Sequence, residues 1–202
     1  MKTSNSNMIV LGITGGIGSG KSYISSILKE QMNVPVYDCD TEAKRLICED
    51  ADIRHKLTLL VGAHVYQDGK LQKKVLADYL FASQQHAQEV NAIVHPAVRK
   101  DIDRWVQQQQ TPVVAVESAI LYESGFDSVV DKVLFVNAPA ELRIQRAMQR
   151  DGSTRQQVEA RINMQHTAEH FEKADYIIDN GNVEKEVLLE DLQKILKKIT
   201  AQ

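Results

Sequence analysis

Residues 8–22 read MIVLGITGGIGSGKS, which is an apolar run, a glycine-rich turn and the start of a helical stretch. Residues 15–22 match the phosphate-loop pattern G-x-x-x-x-G-K-[ST]. They lie between a predicted strand and a predicted helix, the position in which this pattern indicates phosphate binding. Glycines allow positive φ angles and a close approach of the backbone to a phosphate. Successive amides and the helix N-terminus then present donors and partial positive charge. The segment therefore predicts a strand, a phosphate-binding loop and a helix.

Each residue of this loop can be given a role toward a bound nucleotide. Lys21 can bridge the outer phosphates, the Ser22 hydroxyl can ligate Mg²⁺, and the Tyr23 amide can reach the first phosphate. A glycine-rich turn with a chance lysine is the alternative, which the agreement of strand, spacing and helix disfavours. The predicted nucleotide-binding residues of the loop are Gly16, Ile17, Gly18, Ser19, Gly20, Lys21, Ser22 and Tyr23.

The alternation of strand and helix resumes later in the chain. Further extended apolar runs lie at 34–37, 113–116, 132–136 and 176–178, and helical patterns lie at 140–150 and 184–199. Strands that alternate with helices build parallel sheets. The order of these segments therefore predicts an α/β fold.

Residues 41–110 follow a different pattern. Apolar residues recur there at helical spacing, Asp68-Gly69 marks a turn, and no strong strand is expected. A helical insertion in a nucleotide-binding sheet protein commonly forms the wall of a second site. We expect His95-Pro96 to interrupt the helices at a turn from which the histidine could reach a cleft, although a lone histidine is more often a structural hydrogen-bonding group.

Composition narrows the class of protein. The chain has 202 residues, of which 43% are hydrophobic, and 24 basic against 27 acidic residues give a net charge of −3. This balance predicts no nucleic-acid partner and no membrane surface. Residues 1–7 and the short apolar run after them predict neither a signal peptide nor a membrane span, so a cytoplasmic protein is expected. We interpret Cys39 and Cys48 as structural thiols of a reducing compartment.

Three acidic residues follow predicted strands, at the edge of the sheet where ligands bind. A kinase that acts on a hydroxyl needs a carboxylate to accept or orient the proton, and Asp40 or Asp38 suits that role. Asp38 suits the N-cap of a helix equally well. Glu117 could hold Mg²⁺ through water.

Arginines after the fourth predicted strand form a cationic helix face. Arg143, Arg146 and Arg150 are spaced i, i+3, i+7, and guanidinium groups suit the charge of a transferring phosphoryl group. Residues 151–155 are polar and hinge-like, with Thr154 suited to a helix N-cap, and they indicate a mobile lid. A solvated face paired with neighbouring carboxylates is the alternative.

A phosphate loop alone does not distinguish a kinase from a GTPase or a mechanical ATPase. The guanine-binding string Asn-Lys-x-Asp has its nearest match at 172–175, where Glu172 replaces the required amide, and the chain is short for a mechanical ATPase. A small-molecule kinase fits best. Asn180-Gly181 follows the last predicted strand, where a loop often borders the adenine, although a turn there needs no further reason.

These motifs, in this order, resemble those of the dephospho-coenzyme A kinase family over nearly the whole chain. The matching segments are 12–22, 38–40, 71–74, 81–82, 91–96, 146–151 and 174–181. The resemblance implies a P-loop three-layer sandwich with a five-stranded parallel sheet, like that of nucleoside monophosphate kinases. The expected parts are a core of 1–40, 111–150 and 173–202, a helical acceptor-binding insertion of 41–110 and a lid of 151–172.

The implied reaction is ATP-dependent phosphorylation of the ribose 3′-hydroxyl of dephospho-coenzyme A, the last step of coenzyme A synthesis, with Mg²⁺ accompanying ATP. By the same resemblance Asp40 is the catalytic carboxylate, and Lys21 and Arg146 stabilise the moving phosphoryl group. The remaining expected ligands are Arg150 and Asn180 for ATP, and Asp38, His95 and Pro96 for the acceptor.

The chain departs from the family in three places. The loop after Glu117 lacks a proline that many members have, Lys44 stands where an arginine is often found, and Tyr23 replaces the usual threonine. A kinase for another nucleotide or hydroxyl metabolite stays open as a second interpretation. A nucleotide-responsive binding protein is the third, and Asp40 together with Arg146 argues against it because a switch needs no acceptor-side carboxylate. The expected assembly is a monomer or a weak homo-oligomer.

Overall fold

The computed structural model describes residues 8–165 and 167–201. The expectations for residues 1–7, and for His166 in the predicted lid, lie outside the described residues. The strands are β1 (Ile9–Thr14), β2 (Val36–Asp38), β3 (Tyr66–Gln67), β4 (Lys70–Leu71), β5 (Val113–Glu117), β6 (Lys132–Asn137) and β7 (Tyr176–Asp179). The helices are α1 (Lys21–Met32), α2 (Cys39–Glu49), α3 (Ala51–Val61), α4 (Lys73–Ala82), α5 (Gln84–Gln107), α6 (Ala140–Asp151), α7 (Arg155–Asn163), α8 (Thr167–Lys173) and α9 (Lys185–Thr200).

Five strands form one sheet in the order β2-β5-β1-β6-β7. β1 pairs in parallel with β5 and with β6, and β6 pairs in parallel with β7. Parallel neighbours need long crossover connections, which helices supply here. The predicted three-layer α/β sandwich with a five-stranded parallel sheet is confirmed.

The core of the sheet surrounds its central strand, β1. Leu11 and Ile13 of β1 are fully buried, and they share one cluster with Ile24 and Leu28 of α1 and Leu192 of α9. A central parallel strand is covered on both faces, so its apolar residues form a continuous run. This packing gives the loop that follows β1 a rigid base.

Contacts divide the chain into two compact units. The first comprises the chain up to Tyr37 and from Val106 onward, and it contains almost all of the sheet. The second, Asp38–Trp105, contains α2, α3, α4 and most of α5, together with a short antiparallel hairpin of β3 and β4. It overlaps the insertion predicted at 41–110 and is built mainly of helices.

Two local features of the second unit differ from the sequence pattern. The helical spacing through 43–60 is divided between α2 and α3 at Asp50, whose side chain accepts hydrogen bonds from the amides two and three positions on. This cap begins a new helix. The turn predicted at Asp68-Gly69 is confirmed, with φ angles of 48° and 74°. Such angles suit a two-residue hairpin, so two very short strands stand where no strong strand was expected.

The turn predicted at His95-Pro96 is wrong. α5 runs without interruption from Gln84 to Gln107 with Pro96 inside it. Proline removes a helical hydrogen bond and costs about 3 kcal/mol in a helix interior. Val94 and Val98 are buried on the same face of α5, and this packing offsets the cost. His95 therefore lies on a continuous helix rather than on a turn.

Helix boundaries in the first unit follow their local signals. Pro139 immediately precedes α6, as expected for a residue that suits a first turn. Thr154 caps α7, where its hydroxyl accepts from the Gln157 amide and the Gln157 side chain accepts from the Thr154 amide, so the predicted cap is confirmed. Within the described part of the chain, no helix is both long and apolar enough to cross a membrane.

Candidate active site

The phosphate loop joins β1 to α1, and a side chain at Gly18 or Gly20 would be strained. Gly18 and Gly20 have φ angles of 75° and 92°, in the left-handed region that side chains disfavour. A Cβ on Gly18 would also collide with the Arg143 backbone carbonyl, and one on Gly20 would collide with the Asn180 side chain. Both conformation and space therefore require glycine at these positions.

Lys21 folds back over the loop that precedes it. Its Nζ donates to the carbonyl oxygen of Gly15 at 3.0 Å and to that of Gly16 at 3.4 Å. These bonds place the ammonium group within the curve of the loop, as the sequence pattern predicts. Tyr23 has its side chain exposed, which agrees with a role for its backbone amide alone.

The two predicted metal ligands lie together. Ser22 is in the first turn of α1, and Glu117 is the last residue of β5, the strand beside β1. The Ser22 hydroxyl donates to Glu117 Oε1 at 2.9 Å, and Glu117 is buried, with 8% of its surface exposed. A hydroxyl and a carboxylate are hard oxygen donors of the kind that Mg²⁺ prefers when it also keeps several waters. The residues present therefore fit a magnesium ion.

One cleft of about 190 Å³ brings several of the predicted nucleotide-binding residues together. It is lined by Gly18, Gly20, Lys21, Ser22, Tyr23, Arg146 and Arg150. Arg146 and Arg150 reach it from α6, where their four-residue spacing puts them on one face. A cleft with three cationic side chains beside a glycine loop is suited to a polyphosphate.

Arg146 and Asn180 connect the loop to the end of the last strand. Arg146 donates from one terminal nitrogen to the Asn180 carbonyl at 2.8 Å and from the other to the Gly181 carbonyl at 3.4 Å. The buried Asn180 side chain in turn donates from Nδ2 to the Ser19 carbonyl at 2.8 Å. Asn180 thus supports the phosphate loop directly, and its predicted position beside the adenine stays a prediction.

Arg150 is exposed and already paired. Its guanidinium donates twice to Asp151, at 2.7 and 3.0 Å, and Arg161 donates to the same carboxylate at 2.8 Å. These two arginines hold the pKa of Asp151 well below its usual range, and the bond to Asp151 raises the pKa of Arg150. Arg150 therefore forms the ion pair with a neighbouring carboxylate that was expected if this helix face were merely solvated. It also lines the cleft. The lid of 151–172, which includes α7 and all but the last residue of α8, stays a prediction.

In the second unit, Asp38 acts as a helix cap. One oxygen of its carboxylate accepts from the amides of Asp40 and Thr41, at 3.0 and 3.1 Å, and the other accepts from the Thr41 hydroxyl at 2.8 Å. The capping interpretation is thus confirmed, while acceptor binding by Asp38 stays a prediction. Asp40 lies in the first turn of α2 and is exposed.

The other predicted acceptor ligands, His95 and Pro96, lie in the middle of α5. Burial of His95, with a smaller contribution from the positive charge of Arg99, lowers the pKa of this histidine and favours its neutral form. Arg45, beside the Lys44 that replaces the family's arginine, is engaged in ion pairs, including one with Asp101 at 2.7 Å. The ion pair between Arg45 and Asp101 therefore connects two helices within the second unit.

Sequence reasoning missed two residues that contact the loop. Arg143 Nε donates to the Ile17 carbonyl at 3.0 Å, and Gln165 Oε1 accepts from the Ile17 amide at 2.8 Å. Ile17 was expected to contact ATP, yet its amide is directed at Gln165. Arg143 was noticed only as part of a cationic face, and no local signal distinguishes Gln165, because 148 residues separate it from its partner.

A phosphate loop, an acidic strand end against its serine, and cationic side chains around one cleft define a P-loop phosphotransferase. The family model "Dephospho-CoA kinase" matches residues 9–186. A dephospho-CoA kinase from Bacteroides fragilis is 45% identical, over 93% of this chain and 91% of its own length. The chain therefore belongs to the dephospho-CoA kinase family.

Solved structures agree with this assignment. A crystal structure from Thermus thermophilus superimposes with a TM-score of 0.82 and 30% identity, covering 96% of this chain and all of the other. A dephospho-CoA kinase from Campylobacter jejuni has a TM-score of 0.68 and covers 95% of this chain and 97% of its own, and its 24% identity supports the fold alone. The chain is thus a kinase of the P-loop type that uses ATP.

Proposed function

We propose that the cleft around the phosphate loop binds ATP and that the residues described above carry the reaction of the family. That reaction is phosphorylation of the ribose 3′-hydroxyl of dephospho-coenzyme A by ATP, the final step of coenzyme A synthesis. The observation that supports the proposal most is the convergence of Lys21, Ser22 and Arg146 on one cleft, in a chain that the family model matches almost throughout. Cytoplasmic location and a monomer or weak homo-oligomer stay predictions.

Transfer needs stabilisation of the charge that spreads over the moving phosphoryl group. In the proposal, loop amides other than that of Ile17 bind the phosphates, and Lys21 and Arg146 neutralise the developing charge. Arg146 is well suited because its bonds to the carbonyls of Asn180 and Gly181 orient its guanidinium beforehand. A side chain that is already oriented needs little rearrangement when the reaction occurs.

Ser22 and Glu117 would hold Mg²⁺, the serine through its hydroxyl and the glutamate through water. When bound, the ion would supply positive charge that offsets the negative charge of the phosphates. The hydrogen bond between the two side chains supports this part of the proposal, because it keeps their oxygens adjacent at the carboxyl end of the sheet.

Asp40 is proposed as the carboxylate that accepts or orients the proton of the acceptor hydroxyl. Asp38, His95 and Pro96 are proposed to contact the acceptor. The exposure of Asp40 supports its role, since a carboxylate that meets an incoming substrate has to be accessible.

The test is substrate-dependent release of ADP from the purified chain. Dephospho-coenzyme A should stimulate ADP release strongly, whereas AMP, shikimate and gluconate should not. Lys21→Ala should lower kcat by about 10³-fold, because it removes a positive charge from the transferring group. Lys29→Ala is the control, since Lys29 is exposed in the last turn of the same helix. Equal stimulation by another acceptor, or an unimpaired Lys21→Ala enzyme, would contradict the proposal.

A further inference from the structure

Both polar groups of Ile17 are bonded to side chains from outside the phosphate loop. Its amide donates to Gln165 Oε1 at 2.8 Å, and its carbonyl accepts from Arg143 Nε at 3.0 Å. Arg143 belongs to α6, and Gln165 follows α7. The two bonds restrict the peptide units on either side of Ile17, so its φ and ψ angles are determined from outside the loop.

The Ile17 side chain is fixed as well. It packs against a small apolar cluster formed by Ile144 and Ala147 of α6 and Val158 of α7. Ile162, one residue before the end of α7, packs on the same cluster. The segment that carries Gln165 is therefore attached to the loop by apolar packing in addition to the hydrogen bond.

Arg143 contacts a second residue of the loop. A Cβ on Gly16 would collide with the Arg143 guanidinium, so this glycine provides the space that the arginine occupies. One terminal nitrogen of Arg143 is buried and has no hydrogen-bond partner. Burying an unpaired donor costs free energy, which a nearby bound anion would recover in part.

We propose that Gln165 is a positioning residue of the phosphate loop, which holds the Ile17 peptide so that the loop has its phosphate-binding conformation before ATP arrives. Arg143 holds the same peptide from its other side. A loop that is already ordered loses less conformational entropy when it binds its ligand. Loss of the Gln165 acceptor therefore raises the Kd for ATP and has little effect on kcat, because bound phosphates order the loop themselves.

The first experiment compares Gln165→Ala with Gln156→Ala. Gln156 is the same residue type, exposed on α7, and it tests for a general effect on this segment. We expect Gln165→Ala to raise the Kd and KM for ATP about five- to tenfold, as the loss of one hydrogen bond would. The KM for dephospho-coenzyme A and kcat should change less than about twofold on the same grounds. A Kd for ATP in Gln165→Ala that equals that of Gln156→Ala would overturn the inference.

A second measurement reads the hydrogen bond itself. The Ile17 amide should exchange slowly with solvent in the wild-type chain and faster in Gln165→Ala. Gln165→Glu keeps an acceptor oxygen at the same reach, so exchange should stay slow there even if the added negative charge weakens ATP binding. Fast exchange in the wild type, or equal exchange in all three chains, would contradict the assignment of Gln165.

This inference rests on the proposed ATP site, and Lys21→Ala separates the two. If Lys21→Ala lowers kcat and Gln165→Ala leaves the Kd for ATP unchanged, only the role of Gln165 fails. If Lys21→Ala leaves kcat unchanged as well, the ATP site itself has been assigned wrongly.

Discussion

The phosphate-binding residues of the first unit and the carboxylates of the second are held in different ways. Ser22 is bonded to a residue 95 positions away, and Asn180 is bonded to one 161 positions away. Asp38, by contrast, is bonded to groups two and three positions away. The phosphate site therefore exists only when the sheet has folded, whereas the geometry around Asp38 and Asp40 needs only the first turn of α2.

The largest expected effect is a loss of kcat on replacing Asp40, the exposed carboxylate of the second unit. Asp40→Asn should lower kcat by about 10²–10⁴-fold, as expected for loss of a group that accepts a proton. The Kd for ATP should stay within about twofold, because the predicted ATP ligands all lie in the other unit. Rapid-quench kinetics and calorimetric titration measure the two quantities.

Asp38→Asn is the matched control for that variant. Asparagine caps a helix about as well as aspartate, so α2 keeps its first turn. Its kcat should remain well above that of Asp40→Asn. A normal kcat in Asp40→Asn would show that the proton is handled elsewhere.

A smaller effect is expected when a long-range bond of the phosphate site is removed. Asn180→Ala deletes the donor to the buried Ser19 carbonyl and should raise the Kd for ATP about tenfold. Asn137→Ala, which removes an exposed bond to Asp179 from the neighbouring strand end, serves as the control. Equal Kd values for the two variants would mean that the loop does not depend on Asn180.

The cap of α2 allows the two interpretations of Asp38 to be separated. Asp38→Ala should lower the free energy of unfolding by about 1 kcal/mol, which is the usual cost of losing a capping carboxylate. Asp50→Ala should cost the same, because Asp50 caps α3 with the same pair of amide bonds. Urea unfolding measures both. If Asp38→Ala alone raises the KM for dephospho-coenzyme A, the residue also binds the acceptor, and if neither variant does, Asp38 is a cap only.

The smallest expected effect is on the pH dependence of thermal stability, and it comes from His95. Its lowered pKa means that the unfolded chain binds a proton more readily than the folded one. The free energy of unfolding therefore carries no penalty from His95 above pH 6.5, the ordinary pKa of histidine. It decreases as the pH falls below that value, because the unfolded chain then takes up the proton first. Thermal unfolding should show that His95→Gln reduces the fall in Tm between pH 7.5 and 5.5 by about 1–3 °C. His55→Gln, an exposed histidine of α3, should leave that fall unchanged, and the opposite ranking would contradict the prediction.

Local patterns were enough to predict most elements of the fold. The phosphate loop, the five strands and the cap at Thr154 each depend on neighbouring residues, and each was found where the sequence places it. The turn predicted at His95-Pro96 was wrong. Proline tends to interrupt a helix, but burial of one face of α5 outweighs that tendency here. Propensity describes a helix in isolation, and packing decides whether the helix survives a proline.

The sequence by itself determined which residues could bind phosphate, cap a helix or form a strand. Those properties depend on residue type and on spacing over a few positions. Only the tertiary structure decided that Gln165 and Arg143 hold Ile17, and that Asn180 supports Ser19. Contacts between residues more than 100 positions apart leave no periodic trace in a single chain. The contact between Asn180 and Ser19 forms because the parallel sheet brings its strand ends together at one edge.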